Sequence, residues 1–155
     1  MIKKIILWIA VLGLSAQIFG FSGANANESG NTSRRISSVV FEVVKEIFPI
    51  APEAEEDALF LCDKIIRKAA HFTEFMLLSI CTFMLARSYR LRLKMSSRIA
   101  GTYGLLYAIT DEIHQRFIPG RSGEVLDVLI DFGGVLTGIA ISCFVILLYR
   151  KKKRL

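Results

Sequence analysis

The sequence predicts an all-α integral membrane bundle of about four transmembrane helices, with one short amphipathic interfacial helix beside them. Three observations predict it. Hydrophobic residues make up 53% of the chain, and the mean hydropathy is +0.48. Four apolar stretches, at about 5–21, 69–86, 99–118 and 126–149, each approach the ~20 residues that a helix needs to cross a bilayer. Twelve of the 20 basic residues fall in three segments that hold no acid. These are the N-terminus with Lys3 and Lys4, residues 87–98 with Arg87, Arg90, Arg92, Lys94 and Arg98, and the C-terminus from Arg150 to Arg154. A length of 155 residues suits a single membrane domain over 1–155.

The charge pattern also orients the chain. Basic loops stay in the cytoplasm, so four crossings with both termini cytoplasmic fit every segment. Such clusters beside spanning helices are explained by the membrane itself, which leaves nothing to suggest a nucleic-acid partner. A soluble helix would carry a polar face, whereas Ile139–Tyr149 has no charge on any face.

At the N-terminus, Lys3-Lys4, an apolar run and Ala24-Asn25-Ala26 together resemble a secretory signal with a cleavage site. The run is longer than the usual apolar region of a signal, which favours a retained first span. Residues 22–35, rich in Ser, Gly and Asn, read as a loop. Val39, Val40, Val43, Val44, Ile47 and Phe48 make an apolar stripe at helical spacing, and predict a short amphipathic helix on the outer membrane surface. Pro49 and Pro52 end it. Glu53, Glu55, Glu56 and Asp57 suit the positive end of a new helix, which should run unbroken into the second span. Pro119-Gly120-Arg121-Ser122-Gly123 reads as a tight outer turn between spans three and four. In span four, Gly134-x-x-x-Gly138 marks a close helix approach. Cys62, Cys81 and Cys143 imply no disulfide framework.

Ionisable residues inside spans are costly and point to function. Lys68, His71 and Glu74 share one face of span two. Tyr107, Asp111 and His114 or Gln115 share one face of span three, flanked by Glu112 and Arg116. Asp127 and Asp131 lie one turn apart in span four. The topology puts all of them in the outer half of the membrane, with Arg121 on the turn above. Lys68, His71, Glu74, Tyr107, Asp111, Glu112, Gln115, Arg121 and Asp127 are therefore expected to line one outward-facing pocket. A structural ion-pair network is the competing explanation, but five carboxylates, two histidines and a Gln at one depth exceed what packing needs. Asp131 lies ~10 Å beyond Glu124 along the helix, where an ionised carboxylate is costly. It is expected to behave there as a neutral hydrogen-bond donor.

Other chemistries are weaker. His71-x-x-Glu74 and Asp111-x-x-His114 have spacings that permit metal ligation, but such pairs are common, and no metal or cofactor is assigned. Gly120-Arg121-Ser122-Gly123 matches the G-x-S-G of intramembrane serine proteases, but sits in a short turn without those proteases' other helices. Lys68, Arg116 and Arg121 could hold a phosphate, Arg121 in bidentate fashion.

Taken in order, these residues resemble the VanZ-like family of bacterial membrane proteins along most of the chain. Ile18-Phe19-Gly20-Phe21-Ser22, with Ser29 and Ser33, is similar to the family's first helix and its exit, which favours a retained helix. Arg67-Lys68-Ala69-Ala70-His71-Phe72-Thr73-Glu74-Phe75 resembles its K-x-x-H-F-x-E-Y motif. Tyr107, then Asp111-Glu112-x-His114-Gln115-x-Phe117-x-Pro119-Gly120-Arg121, resembles its most specific motif, and Asp127-Val128 the D-V that follows. Phe75 stands where Tyr is usual, and Asp131 where Asn is expected. The family is named after a protein linked to resistance to teicoplanin, a glycopeptide that attacks cell-wall precursors. The resemblance implies a multi-pass protein of the bacterial cell membrane. Its expected partners are membrane lipids, and its expected role is to bind or protect lipid-linked wall precursors. A membrane enzyme on a lipid phosphate or pyrophosphate is the alternative.

Overall fold

A computed structural model describes residues 1–23, 26–48, 50–119 and 123–153, with 26–35 described by backbone alone. Among them are five α-helices and no strand: α1 (Ile2–Gly23), α2 (Ala26–Ile47), α3 (Glu55–Ser88), α4 (Leu93–Gln115) and α5 (Val125–Lys152). A 3-10 turn at Pro52–Ala54 leads into α3. Three segments are long and apolar enough to cross a membrane: Ile2–Gly23, Pro52–Ser88 and Val125–Lys152. α4 has 23 residues, but its Ser, Gly, Tyr and charged side chains keep it out of that group.

Named contacts fix the helix directions. Lys68 meets Asp127, Phe72 lies against Gly134, and Met76 and Ser79 lie against Gly138, so α3 and α5 run parallel. Ser97 bonds Cys143 and Gly104 faces Val135, so α4 runs against both. Ser15 bonds Tyr103 and Ser22 bonds Asp111, so α1 runs with α4. The bundle core is Val11, Ile18, Phe75, Leu78, Leu85, Ala108 and Val135. Outside it, Ile9, Leu12, Leu106, Ile109, Leu136, Phe144 and Val145 remain exposed, as a lipid-facing belt requires. The glycine pair forecast for close approach does that work: a Cβ at Gly134 or Gly138 would strike the α3 backbone at Phe72 or Met76.

These directions gather the basic segments at one end. Lys4 lies 4.1 Å over the Tyr89 ring, and Trp8 Nε1 donates to the Tyr89 hydroxyl at 3.1 Å. The α3–α4 turn, with Arg90 at φ 62°, and the C-terminal end of α5 share that end.

Two expectations are corrected. The loop forecast over 22–35 is helical from Ala26 onward, and α1 continues to Gly23. Once the Val39–Ile47 stripe nucleates a helix, each added residue gains a hydrogen bond, and Ser or Asn costs under about 1 kcal/mol. The third forecast span, 99–118, is α4, which runs from Leu93 to Gln115. The forecast turn falls partly outside the described residues, at 120–122. The run from Glu55 into the second span is continuous, as expected. At about 1.5 Å per residue its 34 residues reach about 51 Å, well beyond the ~30 Å hydrocarbon core. α2 packs antiparallel on the excess length. Ser37 Oγ donates to Asp63 at 2.8 Å, Arg67 pairs with Asp63 at 3.0 Å, and Lys45 meets Glu55 at 2.5 Å. The Glu55 carboxylate holds the Lys45 ammonium above its ordinary pKa.

Candidate functional site

The end of the bundle opposite the basic segments holds the polar side chains. α3 supplies them from its middle, α4 from its last two turns, α5 from its first two and α1 from its last two. Asp111 is 2% exposed, Asp131 3% and Glu112 4%. No Lys or Arg pairs with any of the three among the described residues.

The side chains form two joined groups. In the first, Asp111 Oδ2 accepts from Ser22 Oγ at 2.7 Å and from Gln115 Nε2 at 2.9 Å, while its Oδ1 is buried without a partner. His71, Asp111 and Asp131 each offer one ligand-type atom, and these atoms all lie within 4.8 Å of one another. His71 Nδ1 is also buried and unpartnered. Glu74 accepts from Gln17 Nε2 at 3.3 Å. In the second group, Lys68 donates to Asp127 and lies 4.0 Å from Glu124. Glu112 Oε1 accepts the Glu124 backbone N–H, which ties the end of α4 to the start of α5, and its Oε2 has no partner.

The structure thus brings together Lys68, His71, Glu74, Asp111, Glu112, Gln115 and Asp127. Tyr107, one turn before Asp111, is engaged with α1: its hydroxyl donates to the Ser15 carbonyl, and its ring stacks on Tyr103 at 5.9 Å, so it fastens α4 to α1. Arg121 lies outside the described residues. Of the two α4 alternatives, Gln115 joins the cluster, while His114 stacks on Phe19 with centroids 4.1 Å apart. The Phe75 ring is fully buried, 6.1 Å from Tyr107.

Sequence reasoning missed the share of α1. Ser22, Gln17 and Ser15 all reach the other helices. Their signal is a buried stripe of Val11, Ser15, Ile18 and Ser22 at spacings of four and three on an otherwise apolar helix. Glu124 was also missed, because its contribution is a backbone N–H as well as a carboxylate.

A helical bundle with three segments long and apolar enough to cross a membrane is a multi-pass membrane protein, and its largely buried polar cluster is the candidate site. The chain belongs to the VanZ/LLP1 family, whose model matches residues 6–148. No curated protein and no solved structure matches it.

Proposed function

We propose that all four bundle helices cross the membrane, with both termini cytoplasmic and the polar cluster in the outer half. There it binds a lipid-linked cell-wall precursor and so contributes to resistance to teicoplanin-type glycopeptides. One observation carries this reading: Asp111, Glu112 and Asp131 are almost fully buried, and among the described residues no Lys or Arg is paired with them. Carboxylates held so in lipid are costly, and a bundle retains them for use. The basic residues at the opposite end support the orientation. With Lys68 already neutralised by Asp127, the described residues of the cluster are acidic overall. It suits hydroxyl, amide and ammonium donors, which the sugar and peptide of a precursor provide, better than it suits a bare phosphate.

A membrane enzyme acting on a lipid phosphate or pyrophosphate is the second reading, with His71 or Glu74 as general base. The unpartnered Nδ1 of His71 favours it. Teicoplanin susceptibility of cells carrying the wild type or Asp111→Asn at equal protein level tests the first reading. Equal susceptibility would reject the resistance role. Phosphate release from a polyprenyl pyrophosphate by purified protein, abolished by His71→Ala, would establish the second.

A further inference from the structure

We propose that His71, Asp111 and Asp131 form a binding site for one divalent transition-metal ion, of the Zn2+ or Mn2+ type. Three helices deliver the ligands: α3 the imidazole, α4 and α5 one carboxylate each. Their ligand atoms lie within 4.8 Å of one another. An ion centred in a triangle with sides of 4.8 Å sits about 2.8 Å from each corner, so a shift under about 1 Å per ligand reaches the 2.0–2.2 Å of a Zn–N or Zn–O bond. Rotamer adjustments at the tips of the side chains supply such shifts without moving the helices.

A second, independent observation points to a ligand. Oδ1 of Asp111, on a residue only 2% exposed, and Nδ1 of His71 are both buried without a hydrogen-bond partner. Buried polar atoms left so are rare and call for an unseen partner. Asp111 is already oriented for the task. Ser22 and Gln115 both donate to Oδ2, which fixes the carboxylate and leaves Oδ1 free, the arrangement of outer-shell donors around a metal-bound carboxylate. Charge agrees as well. Two carboxylates and one dication sum to zero, whereas Lys68, the cation nearest along α3, is held by Asp127. One imidazole and two carboxylates are donors that Zn2+ and Mn2+ accept, and three protein ligands leave a coordination position open.

This assigns Asp131 an ionised, ligating role once the ion binds, in place of the neutral donor its depth alone suggests. The ligands join residues of three different helices, so neither i, i+3 pair in the sequence could disclose the set. The site needs no wall precursor, so its test is separate from that of the proposed function.

The test is titration of the chelator-stripped, full-length protein in detergent with Mn2+ alone, read by electron paramagnetic resonance, and with Zn2+ by calorimetry. One ion per chain is expected. Asp131→Asn and His71→Gln should each weaken binding by at least about tenfold, with Glu55→Gln, at the far start of α3 and outside the cluster, within about threefold of wild type. Wild-type protein that binds neither ion, or variants that all bind equally, would overturn the proposal. Should the variants fail to fold, X-ray absorption of Zn2+-loaded wild type decides. One nitrogen with oxygen donors supports the site, and sulfur donation from a cysteine refutes it.

Discussion

Replacing Gly134 by Ala should destabilise the bundle, while the same change one residue earlier should not. A Cβ at Gly134 would land on the Phe72 carbonyl oxygen, 3.1 Å from its carbon and 3.3 Å from Met76 N. All three atoms belong to the α3 backbone, so no rotamer can relieve the clash. α5 must retreat by roughly 1 Å to restore a C···O separation of ~3.3 Å. Overpacking of this kind costs about 1–3 kcal/mol, against about 1 kcal/mol gained when Ala replaces Gly within a helix. At Gly133 the added methyl meets only the Phe72 ring, at 3.5 Å, an ordinary contact. Gly133→Ala should therefore be neutral or stabilising by up to about 1 kcal/mol. Reversible unfolding of the purified variants in mixed micelles measures the difference. Equal stability of the two variants would refute the packing of α3 on α5 described above.

Four further outcomes are expected. In a cysteine-free background, a Cys at the exposed Lys94 position should resist an impermeant thiol reagent in intact cells, whereas one at Glu56 should react; labelling at Lys94 would reverse the topology. Asp127→Leu should destabilise the protein by about 1–3 kcal/mol by leaving the Lys68 ammonium with only Glu124, 4.0 Å away, and adding Lys68→Met should recover part of that loss, as a double-mutant cycle would show. Ser22→Ala should cost about 1–2 kcal/mol in the same unfolding assay, because Asp111 loses a buried donor at 2.7 Å while Gln115 remains. Separating Lys45 from Glu55 by Glu55→Gln should change stability by less than about 1 kcal/mol, since that pair is more than a third exposed.

Much of the bundle was legible because lipid imposes a simple rule on sequence. The runs that became α1, α3 and α5 are long and apolar, and they stand out for that reason alone. Lys68, His71, Asp111 and Asp127 were legible as members of the polar cluster because a charge in such a run has no cheap explanation. The contribution of α1 was hidden because Ser15, Gln17 and Ser22 cost little in a helix and carry no charge. The start of α2 was hidden because Ser, Gly and Asn residues favour turns locally, whereas here the helix nucleated further along, and held on α3 by Asp63 and Glu55, extends back through them. The grouping of His71 with Asp131 depends on the parallel direction of α3 and α5. The topology already implies that direction, but the close approach of the two helices rests on Gly134 and Gly138 and not on either motif.

The most direct measurement is binding of a polyprenyl-linked wall precursor to the purified protein, followed by native mass spectrometry, for the wild type and for Asp111→Asn. Asn keeps the shape of Asp111 and removes the buried charge at the centre of the cluster. One precursor is expected to bind per wild-type chain, with at least tenfold weaker binding to a variant that still folds. Equal binding by both proteins, or none by the wild type, would contradict the proposed function.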